Sequence, residues 1–300
     1  MSEKNNKMEK LTGTGIALIT PFNQDGSIDF KSLEKLVDYA IKGGVDYLVC
    51  LGTTAETPTL NKTEKQEIVD TIRSANAGRL PMVLGIGGNN TALLKDEFSN
   101  TDLSDFIAVL SSSPYYNKPN QEGIYQHYKT LAENTDAEII LYNVPGRTGS
   151  NIEPTTTLRL ANDFKNIIAI KEASPNYIQS TEILKNKPAD FKVISGDDEF
   201  GLPMTLAGGS GTISVIAQAL PELYSKMIRL GLDRKVDEAY KLHYKLMDIT
   251  RSIYMEGNPT GIKSLLSHQG ICKPYTRLPL VAATESLSAK IKAYLGELNS

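Results

Sequence analysis

The chain has 300 residues, 40% hydrophobic and 22% charged, with 32 basic and 35 acidic side chains and a formal net charge of -3. That is ordinary globular composition, long enough for one large α/β barrel or for two domains. The balanced charge, with no basic block, argues against nucleic acid, and no apolar run approaches the ~20 residues of a membrane helix. The polar N-terminus, MSEKNNKMEK, has no apolar signal core. The two cysteines, Cys50 and Cys272, lie far apart and do not suggest a disulfide framework. The expected setting is soluble and cytoplasmic.

In chain order, short β-rich runs alternate with helical patterns. A strand at 15–22 (GIALITPF) precedes a helix at 29–44, whose Phe30, Leu33, Leu36, Val37, Ala40 and Ile41 follow a 3.6-residue period up to Gly43-Gly44. A strand at 47–52 (YLVCLG) precedes a helix that starts at Asn61, a natural N-cap, and stops near Gly78. Further strands read at 81–88, 105–113, 138–145, 167–174, 191–198 and 211–217. Helical patterns fall at 120–135, from Pro154, at 176–187 and from about Pro221 to Leu230. Most strands are continuous apolar runs, as in parallel sheets covered on both faces. Eight such units predict a (β/α)8 TIM barrel over 1–231. The remainder, 232–300, reads as a C-terminal helical domain. The rival, an open doubly wound sheet, lacks a G-x-G-x-x-G turn after the first strand.

In such a barrel the chemistry belongs at the C-terminal ends of the strands, and the least expected residues fall there. The sixth strand, IIAIKEAS, runs from apolar residues straight into Lys171 and Glu172. A lysine at a barrel mouth has two readings. In a low dielectric it can serve as a neutral amine that adds to carbonyls, or it can be a structural cation paired with Glu172, Asp197, Asp198 or Glu199. On position alone the two stand even. Strand alternation turns Glu172 to the opposite face, towards the strand–helix layer. GTTAET, 52–57, offers backbone N–H groups and the hydroxyls of Thr53 and Thr54 for an anion, or simply a Thr-rich turn. In LYNVPGRTG, 141–149, Tyr142 can relay protons and Arg147 can fork onto a carboxylate, unless they are a core tyrosine and a surface arginine. Tyr115 and Tyr116 sit on a loop that suits a subunit contact. His127, His243 and His268 fall in helical stretches, and no Cys/His cluster suggests zinc. Asp197 and Asp198 read as a polar loop before a helix rather than a metal site.

The motifs GTTAET, PYYNKPNQEGIYQHY, YNVPGRTG, IKEAS, SGDDE and GTISV follow in order across nearly the whole chain. Together they resemble the 4-hydroxy-tetrahydrodipicolinate synthase (dihydrodipicolinate synthase) family, among the class I pyruvate-dependent aldolases. The resemblance implies that Lys171 forms an imine with pyruvate, Thr54 holds its carboxylate, and Ile213 lines the pocket through its backbone. It implies that Tyr142 is the general acid/base, with Thr53 and Tyr116 in a proton relay, and that Arg147 binds the carboxylate of aspartate semialdehyde. Gly196 is placed among the substrate-contacting residues, and Tyr115 and Asn89 at a subunit contact and effector site. No cofactor or metal is implied, and the assembly implied is a homotetramer, a dimer of dimers. The alternative within the superfamily is N-acetylneuraminate lyase or a 2-keto-3-deoxy sugar acid aldolase, against which Arg147 argues. Two departures stand out. In EGNPTGIK, 256–263, Gly261 replaces an expected second proline and is expected to loosen the loop. Lys65 and Leu93 stand where lysine-sensitive members carry a histidine and a glutamate, so weak or no inhibition by free L-lysine is expected.

Overall fold

The computed structural model describes residues 9–299. Eight parallel strands close into a barrel in chain order: β1 (Gly13–Ala17), β2 (Tyr47–Cys50), β3 (Met82–Gly85), β4 (Phe106–Ser112), β5 (Ile139–Asn143), β6 (Ile167–Glu172), β7 (Lys192–Ser195) and β8 (Gly211–Ser214). The barrel seals where β1 meets β8, with Gly13 opposite Gly211. Gly211 has φ +119, and a Cβ there would lie 1.9 Å from the Gly13 carbonyl oxygen, so only glycine permits this closure.

The connecting helices are α1 (Phe30–Lys42), α2 (Lys62–Asn76), α3 (Thr91–Asn100), α4 (Gln121–Ala132), α5 (Pro154–Asp163), α6 (Tyr177–Asn186), α7 (Gly201–Leu206) and α8 (Pro221–Leu232). Asn61 caps α2 in a reciprocal capping box with Glu64. The sequence pattern misses α3 and α7. Only Leu94 and Phe98 of α3 are buried apolar residues, too few to set a period, and α7 has six residues. Three further helices follow: α9 (Val236–Tyr254), α10 (Thr260–His268) and α11 (Glu285–Asn299). No helix of the described residues is long and apolar enough to cross a membrane. Residues 1–8, the bulk of the stretch read as lacking a signal core, lie outside the described residues.

Side chains divide between two apolar regions, as strand alternation requires. The barrel interior holds Val49, Val83, Leu110, Ile140, Tyr142, Ile168, Ile194 and Ile213. The layer between strands and helices is larger, and it continues unbroken into Ile249 and Ile253 of α9, Ile262 and Leu265 of α10 and Ile291 of α11. The C-terminal helices therefore share the barrel's core.

The expectation that Gly261 loosens its loop is wrong. Gly261 lies inside α10 and is buried. A Cβ there would come within 2.2 Å of the Ile253 carbonyl oxygen, so the residue lets α10 press against the end of α9. It tightens the segment by allowing backbone contact.

Candidate active site

Lys171 and Tyr142 sit opposite each other in register on β6 and β5. The Lys171 Nζ lies 4.4 Å from the centre of the Tyr142 ring. Lys171 is only 4% exposed. A buried ammonium normally pairs with a carboxylate, because leaving one alone costs far more than a strand returns. Here the four acids that could partner it are engaged elsewhere. Glu172 points outward, as alternation demands, and accepts from Asn143, Gln179 and the Ser174 N–H. Burial raises the Glu172 carboxyl above its ordinary range, and those three donors oppose the rise. Asp197 accepts from the N–H groups of Glu199 and Phe200, as expected for a loop entering a helix. Asp198 accepts from the N–H groups of Val215 and Ile216 and from the Tyr254 hydroxyl. Glu199 pairs with Arg251. The structural-cation reading of Lys171 thus finds no partner among these acids.

Gly196, just past β7, forms the floor under Lys171. A Cβ there would lie 2.9 Å from Lys171 Cε and 2.7 Å from Ala173 Cβ. Its absence lets the lysine stem lie flat against the β7 backbone. Ile213 on β8 faces the same interior.

Thr53 and Thr54 follow β2 in a single tight turn, Thr53–Ala55. Thr54 is buried, and its hydroxyl accepts from Asn258 Nδ2 at 2.9 Å. That bond occupies a lone pair and leaves the Thr54 O–H free to donate. Arg147 sits exposed on the short helical turn Pro145–Thr148 after β5, and its Nη2 donates to the Asn258 carbonyl at 3.2 Å. Asn258 therefore joins the two side chains singled out for carboxylates. Its own Oδ1 is buried with no partner among the described residues. The segment EGNPTGIK carries the Asn-Pro pair, but nothing local gives Asn258 a place in the site. The only signal was a polar residue before proline, and its target lies 204 positions away.

Tyr116 stands apart. It has φ +73 and is 87% exposed in the single chain. Its loop is tied to the Arg147 turn by a bond from the Tyr116 N–H to the Thr148 carbonyl, and Asn89 donates to the Tyr115 carbonyl. No hydrogen bond joins Tyr116, Thr53 and Tyr142 among the described residues. A recess of about 870 Å³ opens at the opposite end of the barrel beside Pro81, Met82 and Phe106. Two of its basic groups are neutralised locally, Arg73 by Asp70 and Asp105, and Arg79 by Asp38.

A closed eight-stranded barrel with a lysine, a tyrosine, a threonine turn and an arginine gathered at the strand ends defines the class: a (β/α)8-barrel enzyme. The chain belongs to the dihydrodipicolinate synthetase family, whose model matches residues 10–298. A 4-hydroxy-tetrahydrodipicolinate synthase of Flavobacterium psychrophilum is 55% identical over 292 residues, 97% of this chain and 100% of the relative. The Phocaeicola vulgatus enzyme of the same name is 50% identical, covering 96% and 97% of the two chains. Among solved structures, the dihydrodipicolinate synthase of Thermotoga maritima superposes with a TM-score of 0.93 at 36% identity, covering 96% of this chain and 98% of the other. A monomeric dihydrodipicolinate synthase variant gives 0.94 at 36% identity, covering 97% and 98%.

Proposed function

We infer that the protein condenses pyruvate with L-aspartate 4-semialdehyde to give 4-hydroxy-tetrahydrodipicolinate, the committed step towards diaminopimelate and lysine. The observation that carries this reading is Lys171: a buried lysine opposite Tyr142, with Glu172, Asp197, Asp198 and Glu199 all engaged elsewhere. Its amine adds to the pyruvate ketone and expels water to form an imine. The protonated imine draws electrons from the adjacent methyl group, and loss of a methyl proton gives an enamine. Tyr142, whose ring lies against the lysine, is the residue we assign to move that proton. The enamine carbon attacks the aldehyde of the second substrate. The amine of that substrate then displaces Lys171 and closes the ring. The imine itself is the electron sink, so the chemistry needs no cofactor.

Thr54 and the adjacent N–H groups suit the pyruvate carboxylate, and Arg147 suits the carboxylate of the semialdehyde. This division favours the synthase over a lyase that handles a long polyhydroxylated chain. We place the enzyme in the cytoplasm as a homotetramer, with Tyr116 reaching a neighbouring copy and Tyr115 and Asn89 at the contact. The exposed Leu93 supports weak or no inhibition by L-lysine, since it offers an ammonium group no partner.

The test is borohydride trapping with pyruvate, followed by peptide mapping. A reduced adduct on Lys171, absent in Lys171→Ala, is the expected result. Turnover with aspartate semialdehyde then separates the synthase from other pyruvate aldolases. No adduct on folded protein would return Lys171 to a structural role.

A further inference from the structure

Just beyond the Thr53–Thr54 turn lies another buried charge, outside the mechanism above. Glu56 is 3% exposed and adopts φ +55, ψ 36, a left-handed conformation uncommon outside glycine, asparagine and aspartate. Both of its carboxylate oxygens are taken by the C-terminal part of the chain. Oε1 accepts from Lys263 Nζ of α10, and Oε2 accepts from the Arg277 N–H at 2.9 Å. Lys263 is fully buried, donates also to the Tyr275 carbonyl, and lies over the Phe22 ring. Arg277 continues the clamp, donating to the Thr59 carbonyl and pairing with Glu64. One residue before the Asn258–Pro259 junction ends, Asn258 grips Thr54 itself.

A buried ion pair is a poor device for stability, because desolvating both charges offsets their attraction, and apolar residues of like volume often serve as well. What it provides is a unique geometry: a carboxylate that must meet a lysine and a backbone N–H at once can occupy one place only. The backbone of Glu56, held in a costly conformation, is over-determined in the same way. The turn so fixed is the one carrying Thr53 and Thr54.

We propose that Glu56 and Lys263 are positioning residues, the ion pair through which helix α10 holds the Thr53–Thr54 turn in the geometry that receives the pyruvate carboxylate. The inference rests on the pyruvate reading of that turn. It separates the two substrates, because the carboxylate of the semialdehyde is assigned to Arg147 on another loop.

The experiment compares full-length wild type, Glu56→Gln and the double variant Glu56→Gln/Lys263→Met. The double variant removes both charges and so avoids stranding one of them. In the double variant we expect a melting midpoint close to wild type and a pyruvate KM raised by about tenfold or more. The KM for aspartate semialdehyde and kcat should stay within about threefold. Glu56→Gln alone should shift the pyruvate KM in the same direction. An unchanged pyruvate KM in folded variants, or equal rises for both substrates, would overturn the proposal. So would loss of folding in both, which would make the pair structural. Borohydride trapping of wild type runs as the control. A pyruvate adduct on Lys171 with unchanged variant KM removes this inference alone, whereas no adduct removes the pyruvate reading and the inference with it.

Discussion

At the residue scale, Lys171 depends on what is missing beside it. Gly196 is required because the lysine stem occupies the space a side chain would take. Gly196→Ala should therefore push the Nζ from its place against Tyr142 without unfolding the barrel. Displacing a reacting atom by about 1 Å costs on the order of 100-fold in rate. We expect kcat/KM for pyruvate to fall by about that factor, with the far-ultraviolet circular dichroism unchanged; wild-type turnover in this variant would show that the lysine has room to spare. Asn258 belongs to the same scale. Asn258 reaches Thr54 by its side-chain amide and Arg147 by its carbonyl, so the loops after β2 and β5 share one support.

At the element scale, helices are joined to each other and to strands by buried polar groups. Glu172 of β6, Asn143 of β5 and Gln179 of α6 form one network beneath the apolar layer, and Asn151 extends it. Between α3 and α4, His127 Nδ1 meets the Thr91 hydroxyl at 2.8 Å. Burial pushes the His127 imidazole down from an ordinary 6.5 to about 4. Between these values the unfolded chain binds a proton that the folded chain does not. Stability is therefore complete above pH 6.5 and is lost as pH falls towards 4. The loss from this one group is about 3 kcal/mol between pH 7 and pH 4. His127→Gln should flatten that part of the profile in urea denaturation; an identical slope in both proteins would show that His127 charges without penalty.

At the scale of the whole molecule, two structures meet at the barrel mouth. The C-terminal helices share the core of the barrel, and α10 with the segments flanking it sends Asn258, Lys263 and Arg277 to the loops after β2 and β5. The other contribution is expected from a second copy. Tyr116 is the most exposed aromatic residue described, at 87%, on a loop bonded to the Arg147 turn. Sedimentation should show a tetramer. Tyr116→Phe should keep that assembly and lose most of the activity, since the phenol is removed and the ring kept. Unchanged turnover would take Tyr116 out of the proton relay, and a sedimenting monomer with full activity would remove the neighbour from the site altogether.

The sequence by itself determined the repeat and the places where polar side chains interrupt the strand ends. Apolar runs punctuated by amphipathic helices specify a parallel α/β fold because each strand must be covered on both faces, a requirement written locally, and their number, eight, points to a barrel. Lys171 was legible for the same reason: a charge at the end of an apolar strand is anomalous wherever it occurs. Alternation even set the direction of Glu172, which the network with Asn143 and Gln179 bears out. The helices α3 and α7 were too short and too sparsely apolar to declare themselves. Only the tertiary structure decided which charges pair. That Glu172, Asp197, Asp198 and Glu199 are all engaged away from Lys171, that Glu56 meets Lys263, and that Gly261 tightens rather than loosens its segment are facts of long-range contact. Such partners lie as far as 207 positions apart, and local sequence carries no record of distances that arise only when the barrel closes.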